Sequence, residues 1–334
     1  MAVEITKGDM IPDRNRLFCP MERTMTRVFF SLVDYRNNYF TSNDPNKIIE
    51  FYNGFENRDQ LIQWMKERPK GVANVHEVEG DKDIIVVIPT ADFNGKYAKE
   101  CRENIFKGLH IIFVESGGLG DFYFNFAHNV NIAIKKAKEY DSKWVVFSAD
   151  DRYKIDDISK LICELESSEE LSVLLYPNLL PMSSFSHYVG KLNTMGRAIR
   201  YILTHIPIMR KKISIYRTIL LEKLSVDYNF ALPGKLNNVL FTNNRRHYYG
   251  DIEVFILPRT IIEKLGNELL FDDHFINGME DHDILLRLSS LNISYKKINY
   301  EIGLYYNSSL GASDARYLRD AINFTYFSYK LDRL

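Results

Sequence analysis

The sequence predicts an α/β domain built on a central, mostly parallel sheet. Three observations carry that expectation. Ile84–Ile88, His110–Val114 and Trp144–Phe147 are short, nearly continuous apolar runs rich in β-branched and aromatic residues, the pattern of strands buried on both faces. Between the second and third runs, Phe126, Val130, Ala133, Ile134 and Ala137 share one helical face, with Lys135, Lys136 and Lys138 off it. Strand and helix then keep alternating, as in a parallel sheet covered on both sides.

Taken in order, residues 1–80 are polar and aromatic with weak periodicity, and read as an N-terminal extension. Within it, Arg58 to Lys66 predicts a short helix around Leu61, Ile62, Trp64 and Met65, stopped at Pro69-Lys70-Gly71. After the third strand, Ile158, Leu161, Ile162 and Leu165 mark another helix, with Asp156 or Asp157 placed to cap it. Val173–Tyr176 predicts a fourth strand and Ile252–Leu257 a fifth. Pro258-Arg259-Thr260 opens a short helix through Ile261, Ile262 and Leu265, closed by Gly266. In FDDHFINGMEDHDILLRL, residues 271–288, a helical face of Ile284, Leu285, Leu288 and Leu291 puts Glu280 and Asp281 at the helix N-terminus. Ile293–Ile298 predicts a last strand.

Composition narrows the function classes. The formal net charge is −1 over 334 residues, so no global field announces a nucleic-acid partner. Cys19, Cys101 and Cys163 are odd in number and widely spaced, which argues against a disulfide framework or zinc cluster and for reduced thiols. The opening MAVEITKGDMIPDRNR has no apolar core of a secretory signal, and no window reaches the roughly 18 apolar residues of a membrane span. The expected location is therefore cytoplasmic. The charge is uneven, however. No Asp or Glu occurs from Leu171 to Leu221, a stretch holding Lys191, Arg197, Arg200, Arg210, Lys211, Lys212 and Arg217 among isoleucines and leucines. Cations interleaved with apolar residues suit a solvated helix face, or a peripheral contact of residues 190–223 with the cytoplasmic membrane face or a lipid phosphate.

In parallel sheets ligands sit beyond the carboxyl ends of the strands. Thr90, Glu115-Ser116-Gly117-Gly118 and Asp150-Asp151 all fall there. Paired carboxylates at a strand end suit a divalent cation bound through oxygen; the plainer reading is a solvated acidic turn, since Asp-Asp also occurs at 156–157 and 272–273. Glu280 and Asp281 are either helix-capping acids or a general base. The glycines at 117, 118 and 120 match neither a dinucleotide fingerprint nor a P-loop.

The runs DIIVVIPTADFN, HIIFVESGG and NVNIAIKKAKEYDSKWVVFSADDRYKIDDISKLI, followed by FDDHFINGMEDHDILLRL, resemble family 2 glycosyltransferases of the GT-A fold. The resemblance spans roughly residues 83–175 and 250–310. It implies a GT-A (Rossmann-like) single domain. Residues 81–175 would be the nucleotide-sugar-binding half, 176–250 a basic and apolar connecting segment, and 251–334 the acceptor-side half. It implies transfer of a sugar from a nucleotide-diphosphate sugar donor to a hydroxyl of a glycan, protein or lipid-linked acceptor, with inversion. Asp150 and Asp151 match the metal motif, for Mn or Mg; Thr90, Glu115, Asn131 and Asp150 would contact the nucleotide; Asp281 is the implied base, with Glu280 beside it. Three features depart from the family pattern, one being the lack of an Arg before Asn131. The second strand ends in Glu-Ser rather than two acids. The segment GLYYNSSLGAS supplies no His, leaving water, Asn307 or the diphosphate to complete the metal's ligands. A nucleotidyltransferase acting on sugar phosphates and a non-catalytic nucleotide-sugar-binding protein remain the alternatives; for the former, the loop after the first strand offers only Gly95 and Lys96.

Overall fold

A computed structural model of the chain describes residues 44–116, 125–169, 173–176, 180–181, 202–203, 205–208, 220, 223, 248–249, 254–265, 269–291, 293, 295–305 and 316–331. In chain order the elements are α1 (Pro45–Asn53), α2 (Arg58–Glu67), β1 (Asn74–Val78), β2 (Asp81–Thr90), α3 (Lys96–Glu100), a π-helical turn (Cys101–Ile105), β3 (Leu109–Glu115), α4 (Phe126–Ala137), β4 (Trp144–Ser148), β5 (Arg152–Lys154), α5 (Ile158–Glu166), β6 (Val173–Tyr176), β7 (Leu180–Pro181), β8 (Tyr248–Tyr249), β9 (Val254–Pro258), α6 (Arg259–Lys264), α7 (Glu280–Ser290), β10 (Tyr295–Lys297), β11 (Ile302–Leu304) and α8 (Arg316–Leu331).

The main sheet has the order β1-β3-β2-β4-β9-β6-β10. Pairing makes β3, β2, β4, β6 and β10 mutually parallel, with β9 antiparallel between β4 and β6 and β1 antiparallel on the β3 edge. The apolar runs are continuous because both faces of the sheet are covered. Ile85, Val87, Ile112, Val114, Val145, Phe147, Phe255 and Leu257 point to a core shared with α4, α6 and α7. The alternate residues Ile84, Val86, Ile88, Ile111, Phe113, Trp144, Val146 and Ile256 point to a second core with Cys101, Ile105, Phe106, Leu161 and Leu165. Each large side chain removed from water in this way contributes about 1.5–3 kcal/mol. The turn between β1 and β2 runs hard against the chain entering β3: a Cβ on Gly80 would lie 2.3 Å from the carbonyl carbon of Leu109.

The expected strands and helices of residues 83–176 are present, and Asp157 rather than Asp156 caps α5, accepting from Ser159 N. Asp156 instead pairs with Lys160 at 2.7 Å and accepts from Glu301 N. Other expectations need correction. The region assigned to an extension is, from residue 44 on, built into the domain. β1 closes the sheet edge, and its Glu77 meets the fully buried His110 at 3.2 Å. α1 and α2 pack on the C-terminal helix α8, where Tyr52 Oη donates to Leu318 O at 2.7 Å and Phe51, Phe55 and Trp64 make edge-on ring contacts. Leu291 is 39% exposed, so the inward face of α7 rests on Ile284 and Leu288. The strand expected over Ile293–Ile298 is shorter, Tyr295–Lys297, because Ile293 and Ile298 turn into the two cores on either side. The glycines at 117–120, Gly266, Asn307 and nearly all of residues 190–223 lie outside the described residues. Among the described residues no helix is long and apolar enough to cross a membrane.

Candidate functional site at the carboxyl edge of the sheet

The chain leaves β4 at Ser148 and turns at once through Asp150 and Asp151 into β5. Neighbouring β2 ends at Thr90, whose Oγ1 donates to Asp150 Oδ2 at 2.7 Å. The backbone of the turn is held from several sides. Asp150 O accepts from Arg152 N at 2.8 Å and faces Cys101 Sγ at 3.4 Å, while Asp151 O accepts from Tyr305 N at 3.0 Å. Burial pushes the Asp150 carboxyl above its ordinary range; the Thr90 hydrogen bond opposes this, and the Asp151 charge adds to it. Arg152, 5% exposed, brings Nε to 3.7 Å from Asp151 Oδ1. The donor set is hard carboxylate oxygen, two adjacent acids neither of which is fully buried. A divalent cation would supply the countercharge that burial and the neighbouring Asp151 make costly to leave out at Asp150. The residues therefore fit Mn or Mg, which favour oxygen ligands.

Glu115, at the end of β3, has a structural task. It accepts from Phe93 N at 2.9 Å and pairs with His76 Nε2 at 2.8 Å, and these contacts, the Phe93 bond first, hold its carboxyl below the usual range. The His76 ring stacks on Phe93 with centroids 4.3 Å apart, and the Arg102 guanidinium lies 4.8 Å from the same ring. Glu115 thus pins the loop after β2. Asn131 is placed differently from its expected nucleotide contact. Its Nδ2 donates to Phe271 O at 2.8 Å and its Oδ1 accepts from Phe271 N at 3.1 Å.

That clasp is one of three on the segment leading to α7. Asn125 caps α4 and donates to Asp273 O and Phe275 O, and Asn323 of α8 makes a two-way amide bond with Ile276. Asn277 and Met279 take left-handed backbone (φ 51° and 70°) on either side of Gly278. A bulky residue such as Met in that region costs of order 1–3 kcal/mol and persists only where the surroundings impose it. α7 leads into β10, which is parallel to β4 and β6, so α7 runs back along the sheet and its N-terminus starts at the carboxyl edge. Phe271 packs 6.0 Å from Phe147, near the end of β4.

At that N-terminus Glu280 is 7% exposed, and Oε2 has no hydrogen-bond partner. Burial, aided by the Asp281 charge, pushes its carboxyl up to about 8. Asp281 is more open; its Oδ1 accepts from His282 N at 2.8 Å and lies 2.5 Å from His282 Nδ1. Asp283, 1% exposed, and Asp272 are bridged by Lys330 of α8, at 2.5 and 2.8 Å. Asp272 also meets His274 Nδ1 at 2.7 Å and Tyr326 Oη at 3.0 Å, while Asp273 meets His128 at 3.3 Å and Lys70 at 3.7 Å. Asp272, Asp273 and His274 bring ligand-type atoms within 4.8 Å of one another, but the Lys330 and Lys70 ammoniums already answer those charges. The cluster reads as an ion-pair knot that ties the segment to α8. In the sequence, Asp272-Asp273 showed only as a repeat of the acidic dipeptide; apart from His274, its partners Lys70, His128, Tyr326 and Lys330 lie far along the chain and left no local signal.

Compared with known proteins, the chain matches no protein-family model, no curated sequence and no solved structure.

Proposed function

We propose that the chain is a metal-assisted glycosyltransferase of the GT-A type, moving a sugar from a nucleotide-diphosphate donor to an acceptor hydroxyl with inversion. The observation that carries the reading is the placement of Asp150 and Asp151 directly after a central parallel strand, beside Thr90 at the end of the next. Support comes from the rigidly held turn that presents Glu280 and Asp281 at the same edge of the sheet. Asp150 and Asp151 would hold Mn or Mg, which when bound supplies positive charge to neutralise a departing diphosphate. Thr90 orients the Asp150 carboxylate. Asp281, with its carboxylate partly open and backed by His282, takes the acceptor hydroxyl's proton. Glu280, kept neutral by burial at pH 7, is a poor base and acts as a hydrogen-bond donor or a packed acid beside it.

The test is a thermal-shift screen of nucleoside diphosphates and nucleotide sugars with and without Mn²⁺, since a ligand that binds only the folded state raises its stability by the logarithm of its excess. A Mn²⁺-dependent shift that disappears in Asp151→Asn, with slow hydrolysis of the preferred nucleotide sugar by the wild type, is the expected result. Absence of any such shift and of hydrolysis removes the reading.

A further inference from the structure

Beside the paired aspartates stands an arrangement of aromatic rings and one lysine that the metal reading leaves unused. β5 carries the chain straight on from Asp151 and pairs antiparallel with β11, Tyr153 lying opposite Gly303. The Tyr153 ring lies flat over that glycine: a Cβ on Gly303 would fall 2.0 Å from its Cζ. Only glycine allows the ring to lie there. Tyr305, just after β11, hydrogen-bonds Asp151 O through its backbone N–H, and its ring centroid lies 5.1 Å from that of Tyr153 and 5.5 Å from that of Tyr97. Lys96 completes the group, with Nζ 5.0 Å from the Tyr305 centroid and 6.0 Å from that of Tyr97.

Two features point to a ligand. Lys96 is exposed, and among the described residues its ammonium has no carboxylate within ion-pair distance, although Glu100 sits one turn away. Lys154 and Lys160, by contrast, each pair with an aspartate, at 2.8 and 2.7 Å. Tyr153 remains 38% exposed although it packs on Gly303, so one ring of the group faces solvent next to the acidic turn. The site thus sets an unpaired cation over the ring of Tyr305, whose backbone N–H holds the turn that carries the pair of acids suited to a divalent cation. The ligand chemistry that satisfies both is a phosphate anion, neutralised by a metal on one side and by an ammonium on the other, attached to a ring that can lie on tyrosine.

We propose that Lys96, Tyr97, Tyr153 and Tyr305 form a sugar-diphosphate subsite: the Lys96 ammonium binds a diphosphate oxygen, and the exposed tyrosine face stacks on the sugar ring attached to it. The ammonium contributes a charge-assisted hydrogen bond, and the rings hold it near the acidic turn without competing for its charge as a carboxylate would. This rests on the glycosyltransferase reading for the identity of the ligand, but its geometry stands independently of catalysis.

The test measures binding by calorimetry in the presence of Mn²⁺, with inorganic diphosphate, UDP, GDP and UDP-glucose as probes. Lys96→Met keeps the stem on the rings and removes the charge. It should weaken diphosphate and the better-bound nucleotide by roughly 10- to 100-fold, the range of one charge-assisted hydrogen bond. Tyr153→Leu should leave inorganic diphosphate unchanged and weaken a nucleotide sugar more than its parent nucleoside diphosphate. Wild-type affinities in Lys96→Met, with a normal circular-dichroism spectrum, overturn the subsite while leaving the glycosyltransferase reading intact. Lys96-dependent diphosphate binding in a protein that hydrolyses no nucleotide sugar does the reverse. Failure of the wild type to bind any of the four probes overturns the subsite too.

Discussion

Glu280→Gln should make the protein more stable at alkaline pH, and the size of the effect follows from where the carboxyl sits. Its ordinary pKa near 4.5 is pushed up to about 8 by burial at the head of α7, with the Asp281 charge adding to it. In the unfolded chain the group ionises near 4.5; in the folded chain it keeps its proton until about 8. The folded state therefore binds more protons across that window, and its stability falls as pH rises from about 4.5 to 8. At about 1.4 kcal/mol per pH unit, the penalty above pH 8 is at most about 5 kcal/mol. Gln is the same shape, keeps an oxygen to accept from the backbone N–H of Gly278, and is neutral at every pH. Urea unfolding at pH 5, 6.5 and 8.5 gives the comparison. The two proteins should agree within about 1 kcal/mol at pH 5, and the variant should be ahead by about 3–5 kcal/mol at pH 8.5. Parallel stability profiles for the two proteins would mean that Glu280 ionises normally, and that its burial does not keep it neutral.

Other outcomes follow from the same geometry. Asp281→Asn should lower turnover by roughly 10²- to 10⁴-fold while leaving donor affinity close to wild type; a matching loss of donor binding in calorimetry would make Asp281 a helix cap instead. Lys330→Met leaves Asp272 and the buried Asp283 facing each other without their shared cation, and should cost about 3 kcal/mol in urea unfolding at neutral pH; a loss under 1 kcal/mol would mean the knot is held by His274 and Tyr326 alone. Residues 190–223 should bind anionic liposomes at low salt and release them as salt rises, because surface charges are screened over about 8–10 Å at physiological ionic strength. The described part of that segment has Ile202 and Ile208 at 62% and 80% exposure, and replacing Arg210, Lys211 and Lys212 with Gln should weaken the binding. No co-sedimentation with anionic lipid at low salt would favour a soluble acceptor.

The sequence by itself determined what depends on neighbours along the chain. Nearly continuous apolar runs announced β2, β3 and β4, because a strand covered on both faces has no polar side to alternate with. The period of α4 and α5 and a cap at Asp156 or Asp157 followed from local spacing, as did the position of Asp150 and Asp151 just beyond β4; the fold chose Asp157. Tertiary structure decided which polar side chain does what. Asn131 looked like a nucleotide contact because it rides on α4, yet its amide is spent on Phe271, 140 residues away. Glu115 is engaged by His76 from an edge strand that the sequence presented as part of an extension. α8 has amphipathic spacing in Leu318, Ala321, Ile322 and Thr325, all buried. Its task of delivering Asn323 to Ile276 and Lys330 to Asp272 and Asp283 is set by packing with α1 and α2. The insertion of β9 antiparallel between β4 and β6 is likewise a choice among strands of equal apolarity. Burial is a property of each residue and its near neighbours, so the pattern shows it. A hydrogen bond or ion pair needs a partner at about 3 Å, and only the folded chain brings distant partners that close.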